Sequence, residues 1–287
     1  MILFILAFLM EIFMSKNGIL ITNKPEGMSS FQMCSKVKRE YVEKKVGHIG
    51  TLDPLASGVL PILIGKATKF SEFLVEHDKE YIAEIQLGMK TETGDREGKV
   101  IEEKPVRKYT SEEIKNALDS FLGKTMQIPP MYSALKQNGK KLYELAREGK
   151  TVERKARQII IDSIELISYD SNNNTISFKV NCSRGTYIRV LSEDIAEKLG
   201  TCGYMSHLIR TRVGNYSLKD ENKFIDMENI LDLDKINIDE STLKKVLNGV
   251  RVNWKSEDKL VSIYVEGEFK GVGYIKNNIL KRKIMVD

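Results

Sequence analysis

A short stretch of the chain, residues 47–61, holds the residue types that could do chemistry. One carboxylate, Asp53, and one imidazole, His48, stand among three glycines and two prolines in GHIGTLDPLASGVLP. Glycine and proline interrupt regular structure, and Pro54 favours an extended backbone at Asp53. The apolar run 59–64 follows and predicts a buried strand. A lone acid on a stiff loop next to a core strand could present a reactive group. The alternative is a structural turn in which Asp53 bonds its own backbone.

The composition describes the protein that must position this loop. The 287 residues are 41% hydrophobic and 30% charged, which is typical of a soluble globular protein. The length suits one large domain, or one domain with a small appendage. A net charge of +5 permits nucleic-acid binding through a local basic patch, but ordinary surface lysines explain it equally well.

Cysteine and histidine usage argues against two kinds of site. The three cysteines form no CxxC pair and are odd in number, which argues against a disulfide framework and favours a reducing cytoplasm. The histidines, His48, His77 and His207, are far apart and have no metal-ligand spacing. We therefore expect a cytoplasmic protein without a metal site.

The first residues, MILFILAFLMEIFM, are almost entirely apolar. They lack the basic start and the small-residue cleavage site of a signal peptide, and Glu11 interrupts a run that is short for a membrane span. We predict that Met14 is the translation start and that residues 1–13 do not belong to the native protein. A genuine membrane anchor is the alternative.

Several separate segments point to one known family. The string GHIGTLDPLASGVLPILIGKATK, residues 47–69, closely resembles the signature of the TruB family of tRNA pseudouridine synthases. The resemblance covers roughly residues 17–215, and its further matches are NKPEGMSS (23–30), QIPPMYSALK (127–136), CSRGTYIR (182–189) and HLIRTRVG (207–214). This resemblance is longer and more specific than a single short motif.

The resemblance implies a catalytic group of residues. Asp53 corresponds to the catalytic nucleophile, and Arg189 to an arginine that pairs with it. A guanidinium can hold a carboxylate in bidentate fashion and fix its orientation. Tyr81, in a K-x-Y context, corresponds to a tyrosine that stacks on the target base. Leu208 corresponds to a leucine that lines the uracil pocket.

The resemblance also implies residues that bind the substrate. Lys24 corresponds to a lysine that holds the motif loop, and Asp95 to a residue of an RNA-contacting loop. His48 corresponds to a histidine that occupies the space left by a flipped nucleotide. A metal ligand and a general base are the rival roles for His48.

The expected activity is isomerisation of uridine 55 to pseudouridine in the T loop of tRNA. The uridine must be flipped out of the folded RNA, its glycosidic bond broken, and its base rejoined to the sugar through carbon. No cofactor is needed, since the reaction involves no redox change. The family implies the tRNA T stem-loop as partner, with no membrane, no obligate protein partner and a monomeric state. The sequence leaves open whether Asp53 attacks the sugar or removes a sugar proton.

Other functions remain open. One alternative is a non-catalytic protein that binds or folds tRNA on the same scaffold. Another is the guide-RNA-dependent type of pseudouridine synthase. The segment MYSALK (131–136) and the short C-terminal region favour the stand-alone bacterial type. A DNA-binding regulator is disfavoured because no helix-turn-helix or basic zipper is visible.

For the fold, the resemblance implies an α+β architecture, a pseudouridine-synthase-like mixed and largely antiparallel sheet flanked by helices, with a small C-terminal β module of the PUA type. We predict a catalytic domain at 14–216, a linker at 217–242 and an RNA-binding module at 243–287. Local patterns predict two helices that begin with capping boxes, at Ser29 and at Thr110.

Overall fold

The computed structural model describes residues 17–74 and 78–286. The predicted extension 1–13 and the predicted start at Met14 lie outside the described residues. The strands, in chain order, are β1 (Gly18–Lys24), β2 (Val46–His48), β3 (Ser57–Ile64), β4 (Lys79–Leu87), β5 (Met89–Thr91), β6 (Val100–Glu103), β7 (Gly123–Gln127), β8 (Lys136–Gln137), β9 (Lys140–Lys141), β10 (Arg157–Asp170), β11 (Thr175–Cys182), β12 (Gly203–Val213), β13 (Tyr216–Ser217), β14 (Phe224–Asp226), β15 (Lys235–Asn237), β16 (Val252–Asn253), β17 (Lys259–Val265), β18 (Glu268–Lys276) and β19 (Ile279–Met285). The helices are α1 (Ser30–Glu40), α2 (Ser71–Leu74), α3 (Ser111–Asp119), α4 (Leu142–Arg147), α5 (Ile188–Lys198) and α6 (Glu240–Leu247).

One large sheet forms the main scaffold of the molecule. Within the described residues it contains ten strands, eight of them in the order β14-β1-β3-β12-β4-β11-β10-β7, with β13 beside β12 and β2 beside β3. The pair β3–β12 is parallel, and the other pairs of this sheet are antiparallel. The predicted mixed, largely antiparallel sheet is confirmed.

Strand β3 shows why the centre of the sheet is stable. Successive side chains of a strand point to opposite faces, and β3 is apolar on both. Leu60 and Ile62 join the core under helices α1, α3 and α5, whereas Val59 and Leu63 join a second core on the other face. The strand is therefore buried on both faces, and it holds the loop that precedes it rigidly.

The helices begin where local chemistry predicts. Ser29 and Gln32 form a reciprocal capping box at the start of α1, and Thr110 and Glu113 form one at the start of α3. Each box satisfies backbone N–H groups that the first helical turn leaves unpaired, typically worth about 1 kcal/mol. Both predicted helices are confirmed.

A second, five-stranded sheet forms the C-terminal part of the chain. Its order is β15-β17-β18-β19-β16. The segment 217–242, predicted as a linker with a short helix, contributes to both sheets: β14 pairs with β1, and β15 pairs with β17. The second core also spans both parts, since the Phe70 and Phe269 rings lie 6.2 Å apart. The two sheets therefore pack against each other through a shared core.

Two further observations concern the sequence expectations. In the parts of the chain that the structure describes, we find no helix with the length and apolar character needed to cross a membrane. The three cysteines, Cys34, Cys182 and Cys202, are buried free thiols.

Candidate active site

The loop between β2 and β3 carries Asp53, and hydrogen bonds from Lys24 fix the backbone around this loop. The fully buried Lys24 Nζ donates hydrogen bonds to the carbonyls of Pro25 (2.9 Å), Met28 (2.6 Å) and Pro54 (3.3 Å). Burial lowers the pKa of Lys24 to about 8, and the nearby Asp53 carboxylate partly opposes this shift. Lys24 thus contacts the backbone of the residue that follows Asp53.

A serine at the start of α1 holds the loop from a second side. The Ser30 hydroxyl donates to the Leu52 carbonyl at 2.9 Å and accepts the Leu52 N–H at 2.8 Å. Asp53 follows Leu52 directly, so its backbone is fixed on both sides of the carboxylate. Such fixed backbone geometry is what a reactive side chain requires for pre-organisation.

Arg189 approaches the loop from the first turn of α5. The start of this helix is held by Gln127 on β7, whose amide accepts from the N–H of Tyr187 at 2.8 Å and donates to its carbonyl at 3.1 Å. Arg189 Nη2 lies 3.1 Å from Asp53 Oδ2. The Arg189 side chain is 6% exposed and the Asp53 side chain 40%, so the carboxylate faces the open space and the guanidinium backs it.

The guanidinium of Arg189 has more than one partner. Nη1 lies 3.5 Å from Asp95 Oδ2 and donates to the Thr93 carbonyl at 2.9 Å, while Nη2 also donates to the Tyr132 carbonyl at 2.6 Å. The expected bidentate pair with Asp53 is therefore not formed: one nitrogen reaches Asp53, and the other reaches Asp95. The two carbonyls fix the plane of the guanidinium.

Asp95 lies behind Arg189. It is buried, and its Oδ1 accepts from the Thr93 hydroxyl at 2.6 Å and from the Glu97 N–H at 3.1 Å. Its carboxylate is thus bonded to its own loop and to the arginine. Contact between Asp95 and RNA stays a prediction.

Asp53 and Arg189 line a cavity of about 320 Å³ between the large sheet and the segments around Ser133 and Thr186. Tyr81 on β4 and Leu208 on β12 contribute its wall, together with Lys79 and Arg210. Burial raises the pKa of the Tyr81 phenol and lowers the pKa of Lys79 to about 8. The cavity therefore combines a carboxylate, an aromatic ring, an aliphatic side chain and three cationic side chains.

Strand β12, and Arg210 with it, were missed by sequence reasoning. Alternation along a strand places Leu208 and Arg210 on the same face, so recognition of the strand would have brought both to the cavity. Register shifts between Met205 and His207 and between Arg210 and Arg212 break the regular period of β12. Because of this irregular alternation, the sequence of the segment does not predict a strand.

A second cavity, of about 540 Å³, opens on the other side of Asp53 and Arg189, which line both. His48 and Asp95 line it with a rim of aromatic and basic side chains, Phe31, Tyr132, Lys141, Tyr143 and Arg147. Burial and the charge of Arg210 lower the pKa of His48, and its Nδ1 is buried with no hydrogen-bond partner among the described residues. Both effects favour the neutral form of the His48 imidazole. The described residues contain no group of three His, Cys, Asp or Glu side chains placed to hold a metal ion.

The chain matches family models and curated proteins over most of its length. Residues 38–188 match the family model described as TruB family pseudouridylate synthase (N terminal domain), and residues 189–252 match tRNA pseudouridylate synthase B C-terminal domain. The chain is 45% identical to a protein of Clostridium kluyveri over 91% of this chain and 96% of the relative. It is 41% identical to one of Caldanaerobacter subterraneus over 94% of this chain and 99% of the relative. Both relatives are named tRNA pseudouridine synthase B.

Solved structures share the fold. A chain of the crystal structure of a Cbf5-Nop10-Gar1 complex matches with a TM-score of 0.66 and 24% identity, over 97% of this chain and 84% of that chain. A chain of an H/ACA RNP bound to a substrate RNA containing 2'-deoxyuridine matches with a TM-score of 0.66 and 21% identity, over 95% of this chain and 86% of that chain. At these identities the likeness concerns the fold alone.

Proposed function

This chain belongs to the TruB family of pseudouridylate synthases, and we propose that it isomerises uridine 55 to pseudouridine in the T loop of tRNA. The observation that carries the proposal is the contact of Asp53 with Arg189 at the wall of a cavity. The similarity to relatives named tRNA pseudouridine synthase B, over 91% and 94% of this chain, supports it.

Asp53 acts as the nucleophile. Cleavage of the glycosidic bond leaves positive charge at the anomeric carbon, which a nearby carboxylate relieves. The partly exposed carboxylate of Asp53 faces the cavity, and Arg189 keeps it oriented. Because the anchored loop on one side and the helix start on the other fix this pair, little reorganisation is needed during the reaction.

Tyr81 and Leu208 hold the detached base. Tyr81 offers a flat ring for stacking and a hydroxyl close to where a proton must leave the base carbon. Leu208 keeps water away from the intermediate. Both side chains are buried and line the same cavity as Asp53.

The second cavity accommodates the RNA around the flipped nucleotide. Its rim of aromatic and basic side chains suits stacking on bases and contact with phosphates. His48, a neutral side chain at this cavity, takes the space left by the extruded nucleotide, and Lys24 and Asp95 support the site from behind. The protein acts as a cytoplasmic monomer, without a cofactor or an obligate protein partner.

The alternative that this protein is a guide-RNA-dependent pseudouridine synthase is less well supported. The two relatives that align over 91% and 94% of this chain, at 45% and 41% identity, are named tRNA pseudouridine synthase B, whereas the chains of the Cbf5-Nop10-Gar1 and H/ACA RNP structures share 24% identity or less. A non-catalytic tRNA-binding role gives no reason for a carboxylate held at the cavity by a buried guanidinium.

The test is to map modified uridines in unmodified tRNA after incubation with the purified full-length protein, without guide RNA. We expect pseudouridine at position 55. A tRNA whose T-loop uridine is replaced by cytidine is the matched control and should stay unmodified. Binding of tRNA with no isomerisation would overturn the proposal in favour of a binding role, and modification only with added guide RNA would favour the guided type.

A further inference from the structure

Arg210 is a buried cation whose surroundings the proposed role of Asp53 does not explain. The residue is 1% exposed. Its Nε donates to the Val59 carbonyl at 2.8 Å and its Nη2 to the Gly50 carbonyl at 2.9 Å. Across residues 17–74 and 78–286, no carboxylate lies within ion-pair distance of it. Arg210 therefore keeps a full positive charge in the interior with only neutral oxygens as acceptors.

Such an arrangement is costly for folding. Transfer of a charge from water to the protein interior carries a large desolvation penalty, and buried charges are normally paired. A guanidinium cannot avoid the penalty by losing its proton. Burial without a carboxylate therefore favours a role in which negative charge appears next to Arg210 during function.

The neighbour that can supply this charge is Tyr81. The two residues are direct cross-strand partners in the β12–β4 register, and the charge of the Arg210 guanidinium acts on the Tyr81 phenol. Both side chains line the cavity that Asp53 faces. Gly50 permits the close approach: its φ is +72°, and a Cβ there would lie 3.3 Å from Arg210 Nη1.

Chemistry fixes the sense of this interaction. Guanidinium has donors only, so the Tyr81 oxygen is the acceptor in a hydrogen bond between the two side chains. Burial raises the pKa of Tyr81, and Arg210 opposes that rise. Cys182 on β11 and Asp53 on the motif loop also face Tyr81 and raise its pKa further. Arg210 is the group that favours the phenolate.

We propose that Arg210 is a positioning residue for the isomerisation, which holds the Tyr81 oxygen at the cavity wall and stabilises its negative charge so that this oxygen takes up the proton of the uracil carbon. This inference rests on the proposed function. Once the sugar has joined C5 of the uracil, the C5–H bond breaks and its electron pair returns to the ring. The Tyr81 phenolate takes the proton, N1 gains one from water, and Tyr81 returns its own to water.

The test is a double-mutant cycle of Arg210→Met and Tyr81→Phe. The readout is single-turnover release of tritium from T-stem-loop RNA labelled at uracil C5, from about pH 6 to pH 9. We expect Arg210→Met to slow release about a hundredfold and to move the rising limb of the pH profile to higher pH. In the Tyr81→Phe background the same substitution should change the rate less than about twofold. Multiplicative losses, or an unmoved pH profile, would overturn the role of Arg210.

Controls separate this role from folding and from the proposed function. Arg212→Met removes an arginine of the same strand whose side chain bonds Gly214 and Asn181, and it should keep the wild-type pH profile. If Arg210→Met does not fold, as judged by its thermal melt, Arg210→Gln removes the charge but keeps a polar side chain and takes its place in the cycle, with the same non-additivity required. Absence of tritium release by the wild type would overturn the proposed function, whereas an active wild type with multiplicative losses overturns only this inference.

Discussion

The two buried arginines of the cavity differ in what balances their charge. Arg189 lies between two carboxylates, Asp53 and Asp95, whereas Arg210 donates to two carbonyls and is the cross-strand partner of Tyr81. On the Arg189 side, charge is neutralised before any substrate is present. On the Arg210 side, no carboxylate of the described residues neutralises the charge.

This difference assigns separate tasks to the two sides. A guanidinium with its anions in place orients a carboxylate and adds little new stabilisation as the reaction proceeds. A guanidinium without an anion stabilises negative charge that develops later, and only such differential stabilisation lowers a barrier. We therefore propose that the Arg189 side prepares the nucleophile and that the Arg210 side serves the proton-transfer step.

Among the substitutions that test the difference between the two arginines, Arg189→Met is expected to have the largest effect. Loss of the group that orients Asp53 should slow isomerisation about a thousandfold, with tRNA affinity nearly unchanged. Single-turnover kinetics and filter binding measure the two quantities. Arg184→Met, which removes an exposed arginine of the same motif, is the matched control for the chemical step. If Arg189→Met keeps the isomerisation rate but loses tRNA affinity, Arg189 acts by binding the RNA and does not orient Asp53.

A smaller effect is expected from Asp95→Asn, which removes one of the two charges that balance Arg189. We expect the rate at saturating tRNA to fall about tenfold, which corresponds to about 1.4 kcal/mol in the barrier. KM should change little, because the carboxylate is buried behind the arginine. A rise in KM with an unchanged kcat would instead support the direct contact with RNA that the resemblance implies.

His48→Ala tests the second cavity and should be milder still. His48 lines this cavity together with Asp53, and it is not among the hydrogen-bond and ion-pair partners of Arg189 in the described residues, so we expect a loss of only about fivefold in kcat/KM, from less efficient flipping of the nucleotide. A fluorescent base next to the target uridine reports flipping. An inactive variant, together with zinc in the wild-type protein by metal analysis, would assign His48 to a metal site instead.

The smallest expected effect concerns the pH dependence of stability. Burial lowers the pKa of His48, so below its ordinary pKa of about 6.5 the unfolded chain binds a proton there before the folded protein does. The free energy of unfolding should therefore fall as pH drops through this range, and His48→Gln should reduce that fall. Urea titrations of both proteins at several pH values measure the difference. Identical pH dependence in the two would contradict the buried, neutral imidazole.

The sequence predicts those parts of the site that depend on local chemistry. The glycines and prolines of the Asp53 loop and the capping boxes at Ser29 and Thr110 act within a few residues, and the structure confirms both boxes. Asp53 and Arg189 are far apart in sequence, and their pairing was expected only through resemblance to a family.

The features that were missed depend on distant partners. Strand β12 carries two register shifts that obscure its alternation, and Arg210 is recognisable as a site residue only when β12 lies beside β4. The short strands β14 and β15 form because the edges of two sheets are available to them. Strand formation depends strongly on such context. The segment 217–242, which was predicted as a linker, therefore contains edge strands of both sheets.

The central claim is that one carboxylate drives the isomerisation. The most direct measurement is tritium release from C5-labelled tRNA by wild type and by Asp53→Asn, with tRNA affinity measured in parallel. The amide has nearly the shape of the carboxylate but lacks its charge. We predict complete release by the wild type and none by the variant, at similar affinity. Appreciable release by Asp53→Asn would contradict the account.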